Sequence, residues 1–273
     1  MSPTPRIGLP RAALQAPGAA DVTSGLDRIR TELQVPDAFP PEVLAAAERA
    51  AAAPRLPDLD RTDLDLLTID PPGSKDLDQA LHLATRPDGG FTVSYAIADV
   101  AAFVSPGDVV DREAHRRGET FYGPDARSPL HPPVLSEGAA SLLPGQERPA
   151  LLWTVQLDAR GQTTDVEVVR ARVRSREQLT YEQAQDDIDR PGAGGTRPTL
   201  SLLAQVGPLR EQRERERGGV SLQIPEQEVV PAEGGGFDLT YRAVLPVEGW
   251  NAQISLLTGM AAAHLMILSL IHI

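Results

Sequence analysis

Three aspartates lie within nine residues of one another, on both sides of a Pro-Pro-Gly turn. Asp70 ends the apolar run "LLTI", which is predicted to be a strand, whereas Asp76 and Asp78 come after the turn and are two residues apart. Side chains two apart on an extended chain point to the same face, and the turn allows Asp70 to fold back beside them. Three neighbouring carboxylates repel one another, and a divalent cation removes that repulsion. The spacing therefore indicates a cation site.

The candidate ligands indicate which cation this would be. They are all carboxylates, with no His or Cys between Asp70 and Asp78. Hard oxygen donors suit Mg²⁺, with Mn²⁺ as the alternative, and Mg²⁺ held in this way usually acts on phosphates. Such a site can orient and polarise a phosphodiester and generate hydroxide from bound water.

The spacing alone leaves other interpretations open. Aspartates are favoured in turns whether or not they bind a metal. A phosphatase-like Asp-x-Asp motif would make Asp76 the nucleophile, although such a motif places its first Asp directly at a strand end and Asp76 lies beyond a turn. An EF-hand fits less well, because its ligand spacing and closing Glu are missing.

Composition limits the class of protein. The chain has 273 residues, 41% of them hydrophobic, which is enough for a substantial core. Its 26 Lys and Arg against 38 Asp and Glu give a net charge of −12, which disfavours broad, nonspecific nucleic-acid binding but leaves room for a metal-dependent nucleic-acid enzyme. Cysteine is absent, and the N-terminus has no apolar secretory core. We therefore expect a cytoplasmic protein.

A C-terminal segment is long and apolar enough to be mistaken for a membrane anchor. Residues 254–273 contain no Asp, Glu, Lys or Arg, and twenty such residues can span a bilayer. His264, His272, many small residues and the lack of a basic flank favour instead a buried helix of a domain. We therefore expect no membrane partner.

The remaining patterns predict an α+β fold with a mixed, largely antiparallel sheet, hairpins and flanking helices. Hairpins are predicted for residues 77–104, around the turn "RPDGG", and for residues 151–173, around "DARG". Further strands are predicted near "VSLQI" and "FDLTYRAVL". Helices are predicted near 24–34, from the prolines of "FPPEV" to about Pro54, from a capping box at Thr180, over 199–219, and at the C-terminal end.

The run "REQRERER" (210–217) is interpreted as a solvated helix face in preference to a phosphate contact.

Several motifs, taken in order, resemble the catalytic domain of the ribonuclease II/R (RNB) family. They are "TIDPPGSKDLDQAL", the run from "YAIADVAAFV" to "LLPGQERPAL", and "RARVRSREQLTYEQAQ", with a match from about Arg61 to about Leu268. Composition indicates an N-terminal Pro/Ala-rich arm with helices at 1–58, and the resemblance implies an incomplete RNB-like catalytic domain at 59–273. It also implies a hydrolytic, processive 3′→5′ exoribonuclease that acts on single-stranded RNA as a monomer. Such an enzyme uses Mg²⁺ and releases nucleoside 5′-monophosphates.

The resemblance assigns roles to individual residues. Of the family's four signature aspartates, the first three correspond to Asp70, Asp76 and Asp78, and the fourth position is occupied by Gln79. Asp70 and Asp76 would help to hold Mg²⁺, and Asp78, also a metal ligand or the group that positions the attacking water, would be the most critical. Tyr122 matches the tyrosine that stacks against the 3′-terminal base.

The chain also departs from the family pattern. Ala96 stands where the family usually has His, and the family's cold-shock domains, its late arginine-containing segment and its basic S1 domain are not found. We therefore expect a truncated reading frame with little or no processive activity of its own. Gln79 motivates a second hypothesis, an RNA-binding protein with the same fold and impaired catalysis, because an amide binds Mg²⁺ more weakly than a carboxylate. A Mg²⁺-dependent phosphatase is the third.

Overall fold

The computed structural model describes residues 19–190, 192, 195–222, 224–231 and 237–269. The predicted N-terminal arm before residue 19 and the last four residues, 270–273, lie outside these ranges. The chain divides into two compact units. We call residues 48–105, 133–221 and 245–273 the barrel unit, and residues 1–47, 106–132 and 222–244 the hairpin unit.

Five strands of the barrel unit close into a barrel in the order β1-β2-β3-β6-β7. All neighbouring pairs are antiparallel except β1 and β7, whose parallel pairing closes the barrel. The mixed, largely antiparallel sheet is therefore confirmed, whereas closure was not predicted. The strands are β1 (Leu66–Ile69), β2 (Gln79–Thr85), β3 (Phe91–Ala98), β6 (Glu147–Leu157) and β7 (Thr163–Leu179).

Both predicted hairpins are present as β2–β3 and β6–β7. In the first turn Gly89 has a φ of +82°, a left-handed conformation that a side chain disfavours. Arg86 N–H donates to the Gly90 carbonyl at 2.9 Å and closes the loop. The Asp-Gly dipeptide thus forms the turn for which its composition is suited.

Six α-helices accompany the strands in the described residues. The helix that begins after Thr180 has the predicted capping box, with Gln183 as its second member. The helix after Asp108 was not predicted; the Asp108 side chain accepts from two backbone N–H groups at its start. The helices are α1 (Ala19–Glu32), α2 (Pro41–Ala52), α3 (Val109–Arg117), α4 (Tyr181–Asp189), α5 (Pro198–Glu216) and α6 (Pro246–Leu268), with single 3₁₀ and π turns at Val100–Ala102 and Leu135–Ala139.

Two apolar clusters occupy opposite faces of the barrel strands. The larger joins alternate residues of the strands, such as Leu81, Val93 and Val155, to α4, α5 and α6. The smaller contains intervening residues of the same strands, such as Ala80 and Leu152. Because successive side chains of a strand alternate between faces, burial on both sides explains why these strands are almost continuously apolar.

Helices α5 and α6 pack closely where Trp250 lies against Gly207. A Cβ atom at Gly207 would come within 2.3 Å of the Trp250 ring, so only glycine fits there. One face of α6 enters the larger cluster through residues such as Ile254 and Leu257, while Leu256 is 47% exposed. By length and composition, α6 is the one helix among the described residues that could cross a membrane. Of its most apolar 18-residue stretch, 28% is buried.

The run 210–217 is only partly the solvated face that we predicted. Arg210 is buried and donates to the Gly161 carbonyl at 2.7 Å, in the turn between β6 and β7. Arg215 and Arg217 remain exposed. The prediction was wrong for Arg210 because one edge of the charged half of α5 faces the barrel, where its guanidinium satisfies a backbone carbonyl.

The hairpin unit contains two short two-stranded sheets, β4 (Phe121–Tyr122) with β5 (Arg127–Ser128), and β8 (Glu226–Pro231) with β9 (Phe237–Arg242). A strand was predicted at "VSLQI" (220–224), but the observed strand β8 begins two residues after that run. Arg117 organises this unit: it is buried, pairs with Glu113 at 2.8 Å and lies 3.6 Å from the centre of the Phe39 ring.

Candidate active site

The aspartate segment connects β1 to β2 in the barrel unit. Asp70 directly follows β1, and its N–H donates to the Leu179 carbonyl at the end of β7, at 3.0 Å. Gly73, with a φ of +82°, forms the turn that reverses the chain. Since β2 begins only at Gln79, Asp76 and Asp78 lie in the extended connection and not on the strand itself.

This connection is anchored through Leu77, the residue between the two aspartates. The Leu77 side chain is fully buried, its N–H donates to Ser141 Oγ at 2.9 Å, and its carbonyl accepts from Leu142 N–H at 2.9 Å. The Ser141 hydroxyl in turn donates to the Lys75 carbonyl at 2.6 Å. Alternation around the buried Leu77 keeps the flanking aspartate side chains out of the core, as expected of an extended segment.

Asp70 is the most perturbed of the three carboxylates. Burial, together with the charges of Asp78 and Asp76, raises its pKa to about 6. The hydroxyl of Thr68 lowers the pKa in part, but the contact does not have hydrogen-bond geometry. Asp70 Oδ2 is buried and has no hydrogen-bond partner in the described part of the chain.

Asp78 is partly surrounded by the chain, but its side chain remains exposed to solvent. Partial desolvation by the surrounding chain, followed by the charge of Asp76, raises its pKa. No cation contributes to the pKa shift of Asp70 or of Asp78. The structure therefore brings the three predicted carboxylates into one electrostatically coupled group without a compensating basic side chain at two of them.

The residues fit a hard divalent cation by chemistry and electrostatics. The buried carboxylate oxygen of Asp70 that has no partner in the described residues, and an all-oxygen donor set, suit a Mg²⁺ ion. Within the described residues, no three acidic or histidine side chains stand close enough together to hold an ion as they are.

Gln79, at the predicted fourth position, is held by a tyrosine. The Tyr95 hydroxyl donates to Gln79 Oε1 at 3.2 Å. Tyr95 is buried in β3, directly opposite Leu81, so its ring reaches diagonally along the same face to the start of β2. Burial raises the pKa of Tyr95 to about 12, and the phenol therefore remains a hydrogen-bond donor at neutral pH.

Tyr122 belongs to the hairpin unit. It lies in β4 opposite Arg127 and is 75% exposed, so its ring is free for a stacking contact. A cavity of about 830 Å³ within the same unit is lined by Tyr122, Phe121 and residues of α1 that include Arg30. Arg30 also forms an ion pair with Asp125, in the loop that joins β4 to β5.

Sequence reasoning missed two residues that shape the site. Ser141 lies 64 residues from Leu77, and Tyr95 lies 16 residues from Gln79. Tyr95 did appear in the alternating pattern of its strand, but that pattern predicts packing only. Its partner depends on the register between β2 and β3, which the sequence does not specify.

Comparison with known proteins identifies relatives over most of the chain. The family model described as RNB domain matches residues 59–247. Exoribonuclease 2 of Photorhabdus laumondii is 32% identical over 183 residues, which make up 65% of this chain and 28% of that protein. Ribonuclease R of Thermotoga maritima is 30% identical over 219 residues, 76% of this chain and 30% of that protein.

Among solved structures, RNase R of Mycoplasma genitalium, in complex with ribose-methylated single-stranded RNA, superposes with a TM-score of 0.83 at 22% identity. The match covers 91% of this chain and 40% of that one. It confirms the fold. The chain spans about three tenths of the length of the two relatives described above.

Proposed function

Because this chain belongs to the RNB domain family, we propose that it acts as a Mg²⁺-dependent hydrolytic exoribonuclease. The proposed substrate is single-stranded RNA, shortened from its 3′ end with release of nucleoside 5′-monophosphates. The observation that carries this proposal is the buried Oδ2 of Asp70, which has no hydrogen-bond partner in the described residues and lies within the family match beside the carboxylates of Asp76 and Asp78. We propose a cytoplasmic monomer, in line with the absence of cysteine.

Each aspartate has a proposed role that follows from its environment. Asp70 is buried and lacks a hydrogen-bond partner for Oδ2, so it is suited to bind a cation through that oxygen. Asp76 and Asp78 complete the donor set from the other side of the turn. Bound Mg²⁺ supplies Lewis-acid polarisation of the phosphodiester and a lowered pKa for water. The proposed role of Asp78 is also to orient the attacking water and accept its proton, and its greater exposure to solvent than Asp70 and Asp76 supports this role.

Tyr122 supplies the proposed contact with the 3′-terminal nucleotide. An exposed aromatic ring can stack against any of the four bases, and each such contact contributes roughly 1–3 kcal/mol to the free energy of binding. The exposure of the Tyr122 ring supports this role. This contact suits an enzyme that must accept any base at the chain end.

The experiment uses 5′-labelled single-stranded RNA with the 273-residue chain and Mg²⁺. We expect distributive shortening from the 3′ end, which is lost in Asp78→Asn and retained in Asp63→Asn. Asp63 is a matched control, since it lies in the same unit but pairs at the surface with Arg61, at 3.4 Å. Unchanged shortening by Asp78→Asn would refute the proposed role of this carboxylate.

A second candidate function is an RNA-binding protein of the same fold with impaired catalysis. It is favoured by Gln79, whose carbonyl oxygen already accepts from Tyr95 and which carries no charge for a cation. In this case RNA binds without shortening, and Gln79→Asp produces a large gain of Mg²⁺-dependent hydrolysis. Shortening by the unmodified chain would reject this candidate.

A further inference from the structure

The side chain of Gln79 is oriented by a hydrogen bond from Tyr95, in the barrel unit. Burial raises the pKa of the Tyr95 phenol, and the Ser255 hydroxyl on α6 lowers it in part. The phenol has one proton, and it donates that proton to Gln79 Oε1 at 3.2 Å. Tyr95 is therefore the donor of this hydrogen bond, and the amide oxygen of Gln79 is the acceptor.

This order determines which end of the Gln79 amide is available. Oε1 accepts from Tyr95, so Nε2 is turned away from the phenol. In the part of the chain that the structure describes, Nε2 has no hydrogen-bond partner, and the side chain is exposed. An amide nitrogen has two donor hydrogens and no acceptor. The side chain next to Asp78 thus presents a neutral donor, not a ligand oxygen.

We propose that Tyr95 is a positioning residue that fixes Gln79 as a hydrogen-bond donor to a phosphate oxygen of the bound RNA. The proposal rests on the proposed function, because RNA is the anion that the neighbouring carboxylates are inferred to act on. A carboxylate at position 79 would repel a phosphate, whereas an amide held by Tyr95 attracts it. The chain therefore binds its substrate at a position where a fourth acidic ligand was expected.

The position of Tyr95 supports a specific role. Its ring belongs to the larger apolar cluster, and 2% of its surface is exposed. A buried phenol that only filled space would leave its hydroxyl unpaired, which costs free energy. Packing fixes the ring, and the ring fixes the amide, so little rotamer entropy remains for Gln79 to lose on binding RNA.

The test measures RNA binding without hydrolysis. A fluorescent ten-nucleotide oligoadenylate is titrated with the full chain in EDTA and followed by fluorescence polarisation. We expect Tyr95→Phe to weaken binding about threefold to tenfold, the effect of one hydrogen bond. Gln79→Ala and Gln79→Glu should weaken binding at least as much. In Gln79→Glu one oxygen still accepts from Tyr95 and the other faces the phosphate.

A double-mutant cycle separates positioning from a general structural effect. If Tyr95 acts through Gln79, Tyr95→Phe causes no further loss in the Gln79→Ala background. The side-chain amide resonances of Gln79, observed by ¹⁵N NMR and assigned by their absence in Gln79→Ala, should shift in Tyr95→Phe and, to a smaller extent, in Ser255→Ala. Ser255 is exposed on a helix, so this second variant is expected to fold.

A matched control is Tyr241→Phe, which removes a phenol that accepts from Gln227 at 3.3 Å in the hairpin unit. It should leave both the amide resonances of Gln79 and RNA affinity unchanged. Equal losses from Tyr95→Phe in the two backgrounds, unshifted Gln79 resonances, wild-type affinity in Gln79→Glu, or no RNA binding by the unmodified chain would each overturn the proposal. Since these measurements contain no metal, a chain that binds RNA but fails to hydrolyse it refutes only the proposed activity.

Discussion

The barrel unit contains two dense arrays of charge, and they are built on opposite principles. The aspartate group at the β1–β2 connection gathers carboxylates, and no cation contributes to the pKa shifts of Asp70 and Asp78. On β7, four arginines occur at every second position, and each is paired with a carboxylate. We call these residues the arginine ladder; its members are Arg170, Arg172, Arg174 and Arg176.

Every arginine of the ladder has at least one acidic partner. Arg170 pairs with the buried Asp99 at 2.5 Å, and Glu147 is shared by Arg172 and Arg174, at 3.6 and 2.5 Å. Between these arginines, alternate residues such as Val173 are buried. The ladder therefore neutralises the acidic segments around it and holds them against the barrel.

The two arrays differ in how their charges affect the stability of the native state. A compensated array stabilises the native state or leaves it unchanged. Carboxylates whose pKa values are raised, as at Asp70 and Asp78, lower the stability of the native state at a pH where they are ionised. Removing a charge should therefore have opposite consequences in the two arrays.

The largest effect is expected for Asp70→Asn, which should lower Mg²⁺-dependent RNA hydrolysis by at least about 100-fold while stabilising the metal-free protein at pH 7. The pKa of Asp70 is raised to about 6, above its unfolded value, so the native state favours the protonated form. This contribution to stability is present below about pH 4 and is lost as the pH rises through 6. Asparagine cannot ionise and avoids the loss.

Thermal unfolding in EDTA from pH 4.5 to 7.5 measures this effect. The melting temperature of the unmodified chain should fall relative to that of Asp70→Asn as the pH rises, and Mg²⁺ should restore it above pH 6. Parallel curves for the two proteins would contradict the view that Asp70 is an uncompensated carboxylate.

A smaller effect, on stability alone, is expected for Arg170→Ala. This change leaves Asp99, which is 3% exposed, without its counter-ion, and the free energy of unfolding should fall by about 2 kcal/mol. RNA hydrolysis by the folded protein should be unaffected. Urea unfolding measures the first quantity, and the 3′-shortening assay at low temperature measures the second. Loss of hydrolysis without loss of stability would show that Arg170 acts in RNA hydrolysis and not in stabilising the fold.

The smallest effect is expected for Glu147→Gln. Glu147 is partly exposed and its arginine partners retain contact with water, so solvent screens both ion pairs. The free energy of unfolding should decrease by roughly 0.5–1 kcal/mol, and the decrease should shrink at high salt. Urea unfolding at 0.05 and 1 M NaCl provides the comparison. A loss that is unaffected by salt would show that Glu147 acts through packing.

Local sequence signals predicted much of this fold. The run "LLTI" is β1, the Asp-Gly turn joins β2 to β3, and Thr180 caps α4, because each depends on residues a few positions apart. The predictions from sequence failed where the structure depends on contacts between segments that are distant in the chain. Arg210 was expected in solvent but bonds to the β6–β7 turn, and no local pattern revealed that β1 pairs with β7, more than 100 residues away.

The sequence by itself determined the aspartate group, its oxygen donors and the family, since three carboxylates around a turn are a local property and the motifs follow in order. Only the tertiary structure decided the electrostatic state of the group. Burial beside Asp78 and Asp76 raises the pKa of Asp70, and the register of β2 on β3 brings the Tyr95 hydroxyl to Gln79. Charge compensation and hydrogen-bond direction depend on which distant groups meet in space. Carboxylates beside β7 therefore pair with the arginine ladder, whereas Asp70 and Asp78, after β1, have raised pKa values.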